Sequence, residues 1–437
     1  MKNKKILLLI LALALAFCAF AGCSNGGLKD LSVNSFSYKI TASKDAYVLT
    51  SVATKKGNDL VIPDTYEGLP VVEIASGAFL NKSDVTKITI GANVRVIGSK
   101  AFAGCTSLET VELPSSIEYI GDGAFSGCEA LTDFEIPAGV TYIGEKAFSD
   151  CEALTALTIP ESITTIKQWT FAGCISLEEL NLPANLEAIE DYGLYACKSL
   201  AKIDLPNTLT KIGAYAFASC YSVTQFDLPA GVTSIGDGAF LKCNSLVKVT
   251  MSAGVTEFKS DLFRDCPALE SVTIPEGVTS IGEECFYNCK KLAKADIPQT
   301  VTSIGAYAFF NCKKLAKINL PNGITKIEGF SFAYCEAAAS ITLPQSLTEI
   351  GSHAFVKCKK VKEIIIPDGV TAIGEGAFSC CTELIKVVIP ASTVQIGNSA
   401  FYICNKLTIY AKASSQPAGW ENDWNYSNCK IVWNYAG

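Results

Sequence analysis

The chain has 437 residues, 49% of them apolar and 18% charged, which suffices for a continuous buried core and is too few charges for a disordered polymer. Acidic residues outnumber basic ones 43 to 36, which argues against a phosphate-binding surface. The single histidine, His353, removes His-based triads, His-rich zinc sites and imidazole general bases, so no catalytic set, no metal site and no cofactor is expected.

In chain order, Lys2, Lys4 and Lys5 precede an unbroken apolar run at 6–20, 15 residues long. A membrane-spanning helix needs about 20. The sequence Phe20-Ala21-Gly22-Cys23 resembles the lipobox of bacterial lipoproteins, with Phe20 where Leu is usual. It implies a signal peptide at 1–22 and lipidation of Cys23; the other reading is an ordinary signal peptide cut after Ala21 or Gly22. Loss of three lysines takes the net charge from −7 to −10. Residues 23–59 are expected to form a linker and an N-terminal cap, with Phe36, Tyr38, Ile40, Tyr47, Val48 and Leu49 in a few strands.

From Phe79 onward one motif recurs every 23 residues without an insertion: Phe79, Phe102, Phe125, Phe148, Phe171, Leu194, Phe217, Phe240, Phe263, Phe286, Phe309, Phe332, Phe355, Phe378 and Phe401. Five residues before this Phe stands Ile, with Phe258 the exception, usually followed by Gly. Three after it stands Cys in 14 of 15 units, and twelve after it Pro in 12 units. Positions nine and eleven after the Phe are apolar and alternate with polar neighbours, the period of a strand with one buried face, which Pro then ends. The segment Ile-Gly-x-x-Ala-Phe-x-x-Cys spaces apolar residues three and four apart and predicts a short helical or 3₁₀ turn. No such unit buries its stripe alone; stacked units do, as a solenoid. Fifteen coils about 4.8 Å apart give a length of roughly 70 Å.

The Leu-Pro, Ile-Gly-x-x-Ala-Phe and Cys positions at these spacings resemble the BspA-like, or Treponema pallidum type, leucine-rich repeats of bacterial surface proteins. The resemblance implies a right-handed superhelix of 23-residue coils over 60–410, a parallel sheet on one side and short helical or 3₁₀ turns on the other. It also implies a C-terminal cap at 411–437 containing Trp420, Trp424 and Trp433. The function it implies is adhesion: an exported, lipid-anchored, monomeric protein that binds extracellular proteins or glycoproteins, touches the membrane through its lipid only and takes no nucleic acid.

Of 19 cysteines, fourteen form a ladder at one repeat position, expected to be buried thiols donating weakly to the coil backbone, although neighbouring rungs also lie within reach of a disulfide. Cys285 replaces the Ala before Phe286, and Cys380 and Cys429 lie off the ladder; Cys380 is the better candidate for a reactive thiol. Mixed charges along the outward strand positions, such as Glu112, Asp133, Glu135, Glu179, Lys202, Lys248, Lys294 and Lys317, read as a solvated face. Ile365 and Val388 share an outward column there, where they either meet the C-terminal cap or form a small docking patch. Two residues before the Phe, most coils carry Gly, Lys, Ser or an acid, yet Trp169, Tyr192 and Tyr215 follow one another, as do Tyr307 and Phe330, with Tyr195 and Phe310 three residues on. Such rows are candidate anchors for a protein partner, can also stack on sugar rings, and otherwise serve only to cover neighbouring coils. His353 reads as an ordinary surface residue. Lys167 in place of Gly, Gly193-Leu194 in place of Ala-Phe, Ser252 in place of Pro and Ala338 in place of Leu mark coils where the pattern breaks.

Overall fold

The computed structural model describes residues 32–33, 36–53 and 59–437; the signal segment, Cys18 and the lipidation residue Cys23 lie outside them. The chain winds as a solenoid of parallel strands, one coil per repeat. Each coil contributes to two ladders instead of the single sheet the alternation predicts. One ladder is built of mostly three-residue strands centred nine residues after the Phe, such as Lys87–Thr89, Thr110–Glu112 and Gln225–Asp227. Their middle residue points into the core and the flanking two face outward. The other is built of two-residue strands ending at the repeated Ile, such as Val96–Ile97 and Tyr119–Ile120, paired in register one coil to the next.

The remaining edge of each coil is not helical. Among the described residues there is no α- or 3₁₀-helix. The residue two before the Phe and the residue two after it both have φ near +60° in every coil, as at Lys100 and Gly104 or Tyr215 and Ser219. Two left-handed residues four apart forbid a helix. The amides therefore alternate: Lys100, Phe102 and Gly104 donate to Asp122, Ala124 and Ser126 of the next coil, while Ala101, Ala103 and Cys105 donate three residues back. The turn edge is thus stapled between coils as thoroughly as a sheet.

The core is a column of rings. Successive Phe side chains from Phe79 to Phe171 and from Phe217 to Phe401 stack with centroids 4.8–5.9 Å apart, interrupted only by Leu194. Beside it runs the cysteine column. Each thiol donates to the Phe carbonyl of the preceding coil, as Cys105 Sγ to Phe79 O at 3.1 Å, or Cys220 Sγ to Leu194 O at 3.3 Å. All 17 described cysteines are free, and burial pushes the thiols of Cys220 and Cys404 up to about 12.

Both ladders break at definable residues. At the Gly four residues before the Phe, an added Cβ would sit 2.3–2.6 Å from the backbone of the preceding coil, as at Gly236 against Ala214 N or Gly121 against Ser99 N. Only glycine permits that approach, and the Gly amide then bonds back, as Gly236 N to Ile212 O at 2.9 Å. Lys167, Lys259 and Glu328 occupy this position, and the two-residue ladder stops before each of those coils. Glu190 is an exception with a visible reason: its carboxylate accepts from Gln168 N, the amide a side chain there would crowd. The three-residue ladder has no strand at 133–135, 202–204 and 294–296. These are the coils in which both outward positions are charged, Lys202 with Asp204 and Lys294 with Asp296 pairing along one coil at 2.8 and 2.5 Å. Charged residues are poor strand formers, and such pairs bond within the coil instead of across it. A further gap, between Ser340–Thr342 and Glu363–Ile365, follows the coil with Ala338.

At the N-terminal end a hairpin of Phe36–Ile40 and Tyr47–Val52 joins the two-residue ladder through Leu69–Ile74. At the other end Gly419–Trp420 and Lys430–Val432 extend one ladder each, and Trp424 packs edge-on against Phe401 at 6.2 Å. Val388 is buried whereas Ile365 is 62% exposed, so the two do not form a shared apolar patch.

Candidate recognition surface

The repeat spends its fixed positions on the core, so recognition falls to the variable columns. The column two residues before the Phe is left-handed in all fifteen coils, a conformation that costs an L residue about 1–2 kcal/mol relative to glycine. Glycine fills it at Gly77, Gly123, Gly238 and Gly376. Trp169, Tyr192 and Tyr215 nonetheless occupy it with φ of 60°, 59° and 55°.

The three rings stack: Trp169 on Tyr192 at 4.0 Å and Tyr192 on Tyr215 at 5.0 Å. Tyr195 stands edge-on to both Trp169 and Tyr192, at 5.8 and 5.7 Å. Each side chain of the column leans over the following coil, and Tyr215 lies across Gly238, where an added Cβ would meet its ring at 2.4 Å. That end of the stack is sealed. At the other end Lys146 lies over the Trp169 ring, its Nζ 6.0 Å from the centroid.

A second row begins at Tyr307 and continues through Phe330 at 4.8 Å to His353 at a further 4.8 Å, sealed in turn over Gly376. His353 is therefore the last ring of a row and not an isolated surface residue. Phe310 joins Tyr307 and stacks on Tyr287 at 4.8 Å, with Tyr334 beyond it at 5.1 Å. Between the rows Arg264 covers Tyr287 and pairs with Asp261, Asp265 and Glu284, so this cation is consumed within the protein. All six ring residues of the left-handed column are half-buried, with their edges open to solvent. Tyr287, Tyr334 and the stacked pair Tyr119 and Tyr142, 4.4 Å apart, escape a reading limited to one column, although the 23-residue register already aligns Tyr119 with Tyr142.

The sequence model of the BspA type leucine rich repeat region matches residues 72–200, 164–293 and 279–408. The chain belongs to this family. It is also similar to a leucine-rich repeat protein from Bacteroides ovatus, at 26% identity over 92% of this chain and 99% of the other with a TM-score of 0.57. A leucine rich cell surface protein from Faecalibacterium prausnitzii is 26% identical over 95% of this chain and 100% of its own, with a TM-score of 0.51. No curated protein sequence matches the chain.

Elsewhere on this BspA-type solenoid part of the surface charge is paired in place. Lys87 pairs with Glu112, Lys386 with Glu363 and Lys406 with Glu383, all at 2.7 Å between adjacent coils. On the mixed outward face read from sequence, Glu112, Lys202 and Lys294 are held in such local pairs. No group of three or more His, Cys, Asp and Glu placed to hold a metal occurs among the described residues. A groove of about 670 Å³ runs beside the first aromatic row, with Trp169 and Tyr195 on one wall and Asp150, Glu152, Lys198 and Tyr221 among its other lining residues. Burial, with the neighbouring Glu152 charge adding to it, raises the Asp150 carboxyl above the ordinary range.

Proposed function

We propose that this chain is a cell-surface recognition protein that holds extracellular proteins or glycoproteins non-covalently, in adhesion to host or neighbouring cells. Lipid on Cys23 would tether it, with the solenoid projecting from the membrane as a monomer. The observation that carries the reading is the pair of aromatic rows. Rings occupy a column whose backbone favours glycine, and they leave edges, and in Trp169 a face, for a partner. Strain retained at such positions is a mark of function, and large aromatic side chains are the usual energetic anchors of interfaces. Family membership and the likeness to a bacterial cell surface protein support the same reading.

The test is a pull-down with the purified protein from host extracellular proteins and cell-surface extracts, repeated after enzymatic deglycosylation. Saturable binding that survives deglycosylation is the expected result. Trp169→Ala with Tyr192→Ala is expected to weaken that binding tenfold or more while the circular dichroism spectrum is unchanged. Absence of any saturable partner would leave a passive surface spacer in its place.

A further inference from the structure

The groove beside the first aromatic row differs from the rest of the surface in several independent ways. It crosses the coils from Ser126 to Ser219 and Tyr221. Four coil steps at about 4.8 Å make it about 19 Å long, room for several linked sugar rings. Its floor is small, with Ser149, Ala172 and Ser219 buried, and the hydroxyls of Ser126 and Ser149 meet at 2.7 Å, each with hydrogen-bonding capacity left.

The floor amides are already used. Lys146, Asp150, Gly173 and Ala196 donate to Gln168, Ala172, Tyr195 and Ala218 at 2.7–3.0 Å. No strand edge is free to pair with an extended peptide, so a ligand here is read by side chains and rings. Those side chains are two cations, Lys146 and Lys198, and two carboxylates, Asp150 and Glu152. None of the four forms an ion pair among the described residues. A site with balanced, unspent charge favours no ionic ligand of either sign and offers donors and acceptors to hydroxyls. Trp169 supplies the remaining element: an aromatic ring stacked on one side by Tyr192, with the flexible Lys146 over it at 6.0 Å.

We infer that this groove binds a neutral oligosaccharide chain, with one sugar ring stacked on the outer face of Trp169 and neighbouring hydroxyls held by Asp150, Glu152 and the Ser126 and Ser149 hydroxyls. This deepens the proposed function, since it assigns the glycan part of a glycoprotein partner to one site and rests on that reading.

The experiment titrates the protein with three neutral probes, mannohexaose, cellohexaose and maltohexaose, following tryptophan fluorescence and calorimetric heat. Trp420 and Trp424 are buried in the cap and Trp433 is half-buried there, so the part of the signal owed to Trp169 is the part lost in the variant without its ring. The decisive variant is Trp169→Gly, because glycine suits φ +60° there and the fold survives the loss of the ring. Saturable binding of at least one probe, weakened tenfold or more by Trp169→Gly and several-fold by Asp150→Asn with Glu152→Gln, is expected. Failure of all three probes to bind, or binding unaffected by Trp169→Gly, overturns the inference. Failure of all three probes alongside capture of the deglycosylated partner would overturn the inference while leaving the proposed function intact.

Discussion

Phe240 lies wholly buried between Phe217 and Phe263, at 5.9 and 5.5 Å, so Phe240→Ala opens a cavity that two rigid neighbours cannot close. A loss of about 3–5 kcal/mol in denaturant unfolding is expected, and a loss below about 1 kcal/mol would contradict the register. The cysteine ladder makes a second prediction at this scale. Thiols such as Cys220 and Cys404 are held protonated by burial, above the ordinary value of 9.0, so the folded state keeps protons that the unfolded chain gives up. Stability is therefore fully present below pH 9.0 and falls as pH rises toward the folded values near 12, by about 1.4 kcal/mol per pH unit for each thiol that ionises only on unfolding. Denaturant midpoints measured from pH 7 to 11 test this, with loss of the slope on progressive Cys→Ala replacement as the control. In the native protein a thiol reagent should label Cys380, the half-exposed member, and leave the buried cysteines untouched.

At the scale of the element, the glycine column governs how closely one coil approaches the last. Gly236→Ala places a methyl group 2.3 Å from Ala214 N and should cost about 1–3 kcal/mol, with faster amide exchange at Gly236 as the ladder opens. Lys259→Gly should do the reverse, forming the bond to Ile235 and slowing exchange; unchanged exchange in both variants would show that the column does not set coil spacing. The core of each coil was legible from the 23-residue spacing of Phe, Cys and Ile alone, because a period that never slips has to be structural. The turn edge was misread as helical because apolar spacings of three and four suit a helix and a tight series of turns equally well. A signal did exist: the column two after the Phe holds Asn81, Gly104, Gly127, Asp150, Gly173, Asp265, Asn288 and Asn311, residue types that tolerate the left-handed region. The two-residue strands carried no alternation to find, being shorter than one period of it. The fate of the Lys167 coil needed the distance across to the preceding backbone, which no spacing in the sequence reports.

Across the whole molecule, fifteen near-identical coils form a uniform scaffold, and its individuality lies in the few columns where the repeat departs from itself. The candidate rows were legible as aromatics at one repeat position, whereas their stacking direction, the sealed end over Gly238, the membership of His353 and the groove beside Trp169 came only from packing between coils. Ladder breaks and aromatic rows meet in the same units: Lys167 precedes Trp169 and Glu328 precedes Phe330 by two residues. The central claim is that the first row is the recognition surface. Its most direct test compares the apparent Kd of the captured partner for the native protein and for a variant with Trp169, Tyr192 and Tyr215 all replaced by Gly. Relief of left-handed strain offsets most of the lost stacking, so the melting temperature should stay close to native. A tenfold or greater rise in Kd at unchanged fold is the predicted result; an unchanged Kd would contradict the account.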